Sequence, residues 1–438
     1  MPTRNLPFPV FDADNHMYET EDAFTRYLPD EFKDLVKYVE LNNRTKIVLD
    51  GKLSEYIPNP TFTVVAPPGA QEEEFKIKNP NSARNVHGAV EQHHPKYPPI
   101  PGTKPPIVPE LDTEKNRMRP IRGERAFHEP EPRLALMDEL GIDYSMMWPT
   151  LASLLEERLA HDPKATHVII HALNQWIHEQ WTFNYEGRIF ATPVIAMNIV
   201  DEAIKELEWC VDRGAKAILI RPATAPDFGG RRRSVALPEY DPFWEAVQDA
   251  DILVGMHASD SGYQRYLNEW EGLGDREMLP FGRDKVNGFK FIREQPSPVA
   301  DTVASLIGHE LTYRFPKLRF APVENGSAWV RPLLDRMTKA YQSKPDVFPE
   351  DPVAAFKRQI FVHPFHEENP VDLVETVGED NVIFGSDYPH PEGMADPITF
   401  VDQLNGLSDE ALQKVMGGNL ARIMRVDMTK QVKVPASA

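Results

Sequence analysis

Phe8-Pro9-Val10-Phe11-Asp12-Ala13-Asp14-Asn15-His16 is an apolar run rich in β-branched and aromatic residues that closes on metal-ligand residue types. Side chains alternate along a strand, so Asp14 and His16 point the same way at its C-terminal end as a carboxylate-x-His chelate. The same pattern returns down the chain. Apolar runs from Ile142 to Trp148, Ile189 to Ile195, Ala217 to Ile220, Ile252 to His257, Leu318 to Glu324, Gln359 to His363 and Val382 to Asp387 join Phe8 to Asp14 as eight expected strands. Several are apolar almost throughout, as parallel strands buried on both faces require. Most precede segments with three- and four-residue apolar spacing, clearest at Pro163 to Tyr185, Asp201 to Arg213, Pro298 to Arg314 and Ser327 to Lys339. Asp201 is the expected N-cap of the second helix and Gly214 its stop. Eight βα units predict an α/β protein, a (β/α)8 TIM barrel. An open doubly wound sheet is the competing architecture, but no glycine-rich phosphate turn follows the first strand.

The expected organisation places the first barrel strand and its flank in residues 1–36, an insertion in 37–125, the rest of the barrel in 126–426 and a tail in 427–438. The insertion holds the proline-rich stretch His94 to Glu110, which excludes regular structure there. Its scattered Tyr56, Phe62, Val64, Val65 and Phe75 favour a folded lid or oligomer arm. Loops Ala223 to Pro238 and Ser259 to Ser297 follow the fourth and fifth strands and would wall in a substrate. The 48 Lys plus Arg against 67 Asp plus Glu give a net charge of −19, which excludes nucleic acid as an expected partner. The single cysteine, Cys210, cannot form an internal disulfide and points to a reducing compartment. No signal-peptide core and no run of about 18 apolar residues is present, so a cytoplasmic protein without membrane spans is expected. The acidic surface and the long arm are compatible with a homodimer or larger assembly.

Chemistry concentrates at strand ends. Asp14 and His16 close the first expected strand, His257 the fifth, Glu324 the sixth and Asp387 the eighth, on the barrel face where catalytic residues sit. Each alone is explained by a cap or a loop contact. Converging together, three carboxylates demand a cation. His363, His366 and His390 follow the last two strands as further candidate ligands. Arg221, just after the fourth strand, is placed to orient a substrate carboxylate, with a structural ion pair as the alternative. Arg231, Arg232 and Arg233 in the following loop would suit the phosphates of a coenzyme A or nucleotide handle, or simply a solvated loop end. His167, His171 and His178 lack the glutamate of a zincin motif and read as ordinary helix residues.

Asp14-Asn15-His16, His257 and Ser386-Asp387-Tyr388-Pro389 together resemble the amidohydrolase-related barrel enzymes over most of the chain outside the insertion. The resemblance implies Asp14, His16, His257 and Asp387 as ligands of a divalent metal. It also implies a histidine after the sixth strand, where this sequence has Glu324. The surplus of donors suggests two ions, with Glu324 and His363, His366 or His390 on the second. One branch of the family is similar in this respect and activates oxygen with two metals including iron, which implies a monooxygenase acting on a carboxylic acid or acyl-coenzyme A substrate with Asp387, Glu324 and Arg221 at the reaction. The alternatives are a hydrolase of an amide, ester or lactone using one zinc or manganese, a non-oxidative decarboxylase, which the missing histidine disfavours, and a non-catalytic subunit stabilised by metal.

Overall fold

Each of the eight expected strand regions contributes parallel pairing. The computed structural model describes residues 5–54, 60–71, 94–98, 120–274, 289 and 297–429. Strand β1 (Phe11–Met17) pairs with β2 (Tyr144–Pro149), which pairs with β3 (Ile189–Ala191). Strands β4 (Ala217–Leu219), β5 (Leu253–His257) and β6 (Phe320–Val323) form a second parallel group. Single parallel bridges Val194 to Leu219, Phe320 to Ile360, Val362 to Val382 and Asn15 to Tyr388 carry the pairing onward and back to β1. The fold is therefore TIM-barrel-like α/β. Strands β1, β2, β5 and β6 are buried at every residue, which explains their apolar composition.

The helix Pro163–Trp181 starts where Asp162 accepts from the Ala165 N–H at 3.0 Å, with proline at the first helical position. The next helix, Val200–Val211, corrects an expectation. Its cap is Ile199, whose N–H donates to His167 Nε2 at 3.1 Å, and Asp201 lies one step inside, in the first turn. Its charge still complements the positive end of the helix there. Gly214 ends the segment as expected, with φ +88°. The expected helix from Pro298 to Arg314 is two, Ser297–Gly308 and Leu311–Arg314, separated where Glu310 turns left-handed at φ +63°. The helix Val330–Ser343 begins later than expected because Ser327 gives its N–H and hydroxyl to Glu368 instead.

Trp148, Trp176, Trp181 and Trp244 are fully buried in one continuous apolar core, each contributing about 2–3 kcal/mol. Cys210 is buried among them. Of the insertion, Val36–Leu41, Arg44–Leu49 and Lys52–Leu53 form an antiparallel sheet, and Val64–Val65 pairs with Ile121–Arg122. Phe62 stacks on Tyr18 at 4.3 Å and Val65 is buried, whereas Val64 is exposed. Tyr56, Phe75 and most of the proline-rich stretch lie outside the described residues. Among the described residues no helix is long and apolar enough to cross a membrane.

Candidate metal centre

Strand β1 holds its chelate through a buried polar frame. Its register with β2 shifts between Asp12 and Asn15. The Asp12 carboxylate fills the irregularity, accepting from Asp14 N at 2.9 Å, Asn15 Nδ2 at 2.9 Å and Ser386 N at 3.0 Å, and from the Ser386 hydroxyl. Arg133, fully buried, donates to His16 O at 2.7 Å, Ala126 O at 2.6 Å and Asn15 Oδ1. Trp148 Nε1 donates to Ala13 O at 2.8 Å. These bonds satisfy backbone groups that the irregular strand would leave unpaired. They also fix the direction of Asp14 and His16. Glu324 and Asp387 reach the same space from strand ends in the left-handed region, at φ +52° and +55°. That conformation costs about 1–3 kcal/mol each in a non-glycine residue and concentrates at functional sites.

The donors converge. His16 Nε2 lies 3.4 Å from Asp14 Oδ1, 3.4 Å from Asp387 Oδ1 and 3.6 Å from Glu324 Oε2. His257 Nε2 lies 3.1 Å from His16 Nε2, 3.3 Å from Asp14 Oδ1 and 3.0 Å from Glu324 Oε2. His390 packs its ring 4.0 Å from that of His16 and sets Nδ1 2.7 Å from Asp387 Oδ1. Two donor groups result, Asp14 with His16, His257 and Glu324, and His16 with Glu324, Asp387 and His390, each with its ligand atoms within 4.8 Å of one another. His16 and Glu324 belong to both.

The remaining expected residues separate into supports and bystanders. His363 Nε2 donates to Gly385 O at 3.2 Å, and its Nδ1 accepts from Glu324 N at 3.1 Å. That lone pair therefore holds Glu324 in place. His366, expected as a ligand, is in neither group; its Nδ1 faces Glu367 Oε2 at 3.4 Å. Arg221, expected at the substrate, is held by Glu157 Oε2 at 2.7 Å and Asp260 O at 2.9 Å. Arg231, Arg232 and Arg233 do not act as one set, because they pair separately with Asp227, Glu157 and Glu239. Neighbouring residues on a strand face opposite ways, so a run of three cannot converge on one phosphate. His171 is bound to Glu206, in keeping with an ordinary helix residue.

Burial alone would raise Asp14, yet hydrogen bonds with His16 and His257 hold it far below the usual carboxylate range. Burial likewise opposes charge on Glu324, but His257 and His16 bring it down to about 2. Against the same burial, Glu324 and Asp14 drive His257 up to about 10. Burial, then the charges of Glu324 and Asp14, pushes Asp387 well above its ordinary value. Histidine protons here substitute for a cation that three carboxylates require. Asp14 Oδ2 is moreover a buried acceptor without a hydrogen-bond donor, its near neighbour at 3.3 Å being His363 Nδ1, which itself accepts from Glu324 N. Mixed imidazole and carboxylate donors around such an orphaned oxygen fit a divalent metal ion.

Residues 88–426 match the family model described as amidohydrolase. The chain belongs to the amidohydrolase family. An amidohydrolase structure from Mycobacterium avium subsp. paratuberculosis K-10 superposes with a TM-score of 0.81 at 32% identity, over 96% of this chain and all of that one. The chain is also similar, at 23% identity over 244 residues, to a 2-amino-3-carboxymuconate-6-semialdehyde decarboxylase of Dictyostelium discoideum, matching 54% of this chain and 61% of the relative. The chain thus spans less than two thirds of that curated relative. A 5-carboxyvanillate decarboxylase from Novosphingobium aromaticivorans, complexed with manganese, shares the fold at a TM-score of 0.51 and 14% identity, over 96% of each chain. This amidohydrolase is a metal-dependent enzyme.

Proposed function

We propose that this amidohydrolase removes a carboxyl group, without oxidation, from a small unsaturated or aromatic carboxylic acid. The observation that carries the reading is the likeness to decarboxylases of such acids in a chain whose own donor groups fit a divalent metal. It departs from the oxygenase expectation drawn from the donor surplus, for which no relative named above speaks. A bound ion would hold the substrate carboxylate and stabilise the electron pair left as the carbon–carbon bond breaks. The chain's own residues then handle one proton, since the carbon that loses carbon dioxide must gain one.

Glu392, half-buried beside the centre, is the residue we assign to that proton. Burial and the charge of Glu324 bring its carboxyl up to about 7, where it both gives and regains a proton at neutral pH. Asp14, His16, His257 and Glu324 are assigned to the ion, with Asp387 held by His390 at its edge. Residues 60–71 of the insertion act as a cover in this reading. Gly69 N and Gln71 N donate to His390 O at 3.2 Å and Pro391 O at 2.8 Å, and Phe62 stacks on the ring of Tyr18 next to His390. Such a cover excludes water from the departing carboxylate.

The test is carbon dioxide release under nitrogen by metal-loaded enzyme from a panel of hydroxybenzoates and muconate-type acids. Product formed in heavy water must carry one deuterium at the carbon that bore the carboxyl group, and Glu392→Gln must slow turnover at least about a hundredfold with metal content unchanged. A second reading follows from the group His16, Glu324, Asp387 and His390, which offers places for a second ion. Two ions including iron, with oxygen consumed and no carbon dioxide released, would establish hydroxylation and overturn decarboxylation.

A further inference from the structure

Away from the metal donors, one carboxylate carries three guanidinium groups. Glu157, on the helix Ala152–Arg158 after β2, accepts from Arg221 Nη1 at 2.7 Å, Arg232 Nη2 at 2.7 Å and Arg265 Nη1 at 2.6 Å. The glutamate is 7% exposed, Arg221 5%, Arg232 22% and Arg265 45%. Among the described residues, none of these arginines has a second carboxylate within ion-pair distance. Three guanidinium groups share this one carboxylate; Glu156 is buried near Arg221, Asp50 also lines the cleft in front, and the Asp260 carboxylate is taken by Arg158, in a protein whose net charge is −19. Such an arrangement is costly by itself and is relieved by an anion.

The cluster also has space in front of it. It borders a cleft of about 550 Å³ lined by Lys52, Glu157, Arg158, Arg232, Asp260 and Arg265. That is large enough for a small organic ligand. The cleft opens among segments that follow β2, β4 and β5, at the strand ends that also carry His257. We propose that Arg232 and Arg265, which line the cleft, with Arg221 buried behind them on the same Glu157, form a binding site for a doubly charged oxyanion of the phosphate type. Guanidinium forks match the tetrahedral oxygens pairwise, and Glu157 keeps the three side chains parked when the ligand is absent. Of the arginine run 231–233, only Arg232 takes part. The site stands independently of which reaction the metal centre performs.

Calorimetric titration of the metal-loaded enzyme with inorganic phosphate tests this, with phenyl phosphate in a parallel arm. Binding must weaken about tenfold in Arg265→Gln, the most exposed of the three, and tighten in Glu157→Gln, which removes the internal competitor. Asp387→Asn, at the metal centre, must leave the affinity unchanged. Tighter phenyl phosphate binding assigns the cleft to the phosphate end of a larger molecule, and tighter inorganic phosphate binding to the free ion. Equal affinity in wild type and Arg265→Gln overturns the proposal even if Glu157→Gln fails to fold. So does a loss confined to Asp387→Asn, since the anion would then sit on the metal.

Discussion

Gly385 lies between the end of the eighth strand segment and β1, and replacing it with alanine changes the centre without touching a donor atom. A Cβ there would meet Asp14 Cβ at 2.5 Å and His363 Nε2 at 2.8 Å. Carbon atoms rest about 3.5–4.0 Å apart, so Asp14 or the strand that carries it must retreat by about 1 Å. Overpacking of this kind costs about 1–3 kcal/mol of stability. Displacing a ligand or positioning group by about 1 Å lowers turnover by about a hundredfold. Gly385→Ala is therefore expected to fold, to melt a few degrees lower and to lose about two orders of magnitude in kcat/KM together with metal affinity. Gly308→Ala is the control, because a Cβ there meets nothing within 4 Å and stabilises the chain by about 0.4–1 kcal/mol. Thermal unfolding, metal analysis and steady-state kinetics on both variants decide the matter. Wild-type kinetics and metal content in Gly385→Ala would refute the packing of Asp14 against the eighth strand segment.

The metal-free protein should lose stability as pH rises from about 5.5 to about 8.5. Burial raises Asp12, Glu19 and Glu156 to about 7, so their contribution is complete below their ordinary values and fades as pH passes through 7. That of His257, raised to about 10 by Glu324 and Asp14 against burial, begins to fade above 6.5. Scanning calorimetry after chelation should show the fall, with a smaller one once metal replaces the histidine protons; a metal-free protein that melts higher at the upper pH contradicts the assignment. Arg133→Met leaves Ala126 O, His16 O and Asn15 Oδ1 without their donor, which should cost about 1–3 kcal/mol and loosen the chelate. A loss below about 1 kcal/mol in denaturant unfolding would show that the frame of β1 is held by something else.

How far the sequence reaches depends on the distance over which each residue acts. Asp14, His16, His257, Glu324 and Asp387 were legible because each terminates an apolar strand, and strand ends on one face of a barrel meet in space. The strand itself sits later than its apolar start suggests, at Phe11–Met17, because the shift at Asp12 and Asn15 prolongs pairing past the chelate. Asp12 and Arg133 escaped notice for a related reason. Arg133 lies in an ordinary helical segment, and its acceptors include His16 O and Asn15 Oδ1, more than a hundred positions away. Glu157 escaped for the same reason, with its arginines 64 to 108 positions distant. His366 stands outside both donor groups because proximity in sequence to His363 does not survive the turn between them. The missing histidine at position 324 disfavours the decarboxylase alternative in the sequence, and the proton carrier we propose in its place, Glu392, lies beyond the last strand.

Asp14, His16, His257 and Glu324 are proposed to hold a catalytic divalent ion. Elemental analysis of the protein purified without added metal, alongside His257→Ala, tests it most directly. At least one divalent ion per chain is expected in the wild type, and its loss from a variant that still folds. A metal-free wild type that remains active, or a His257→Ala variant with undiminished metal, would contradict it.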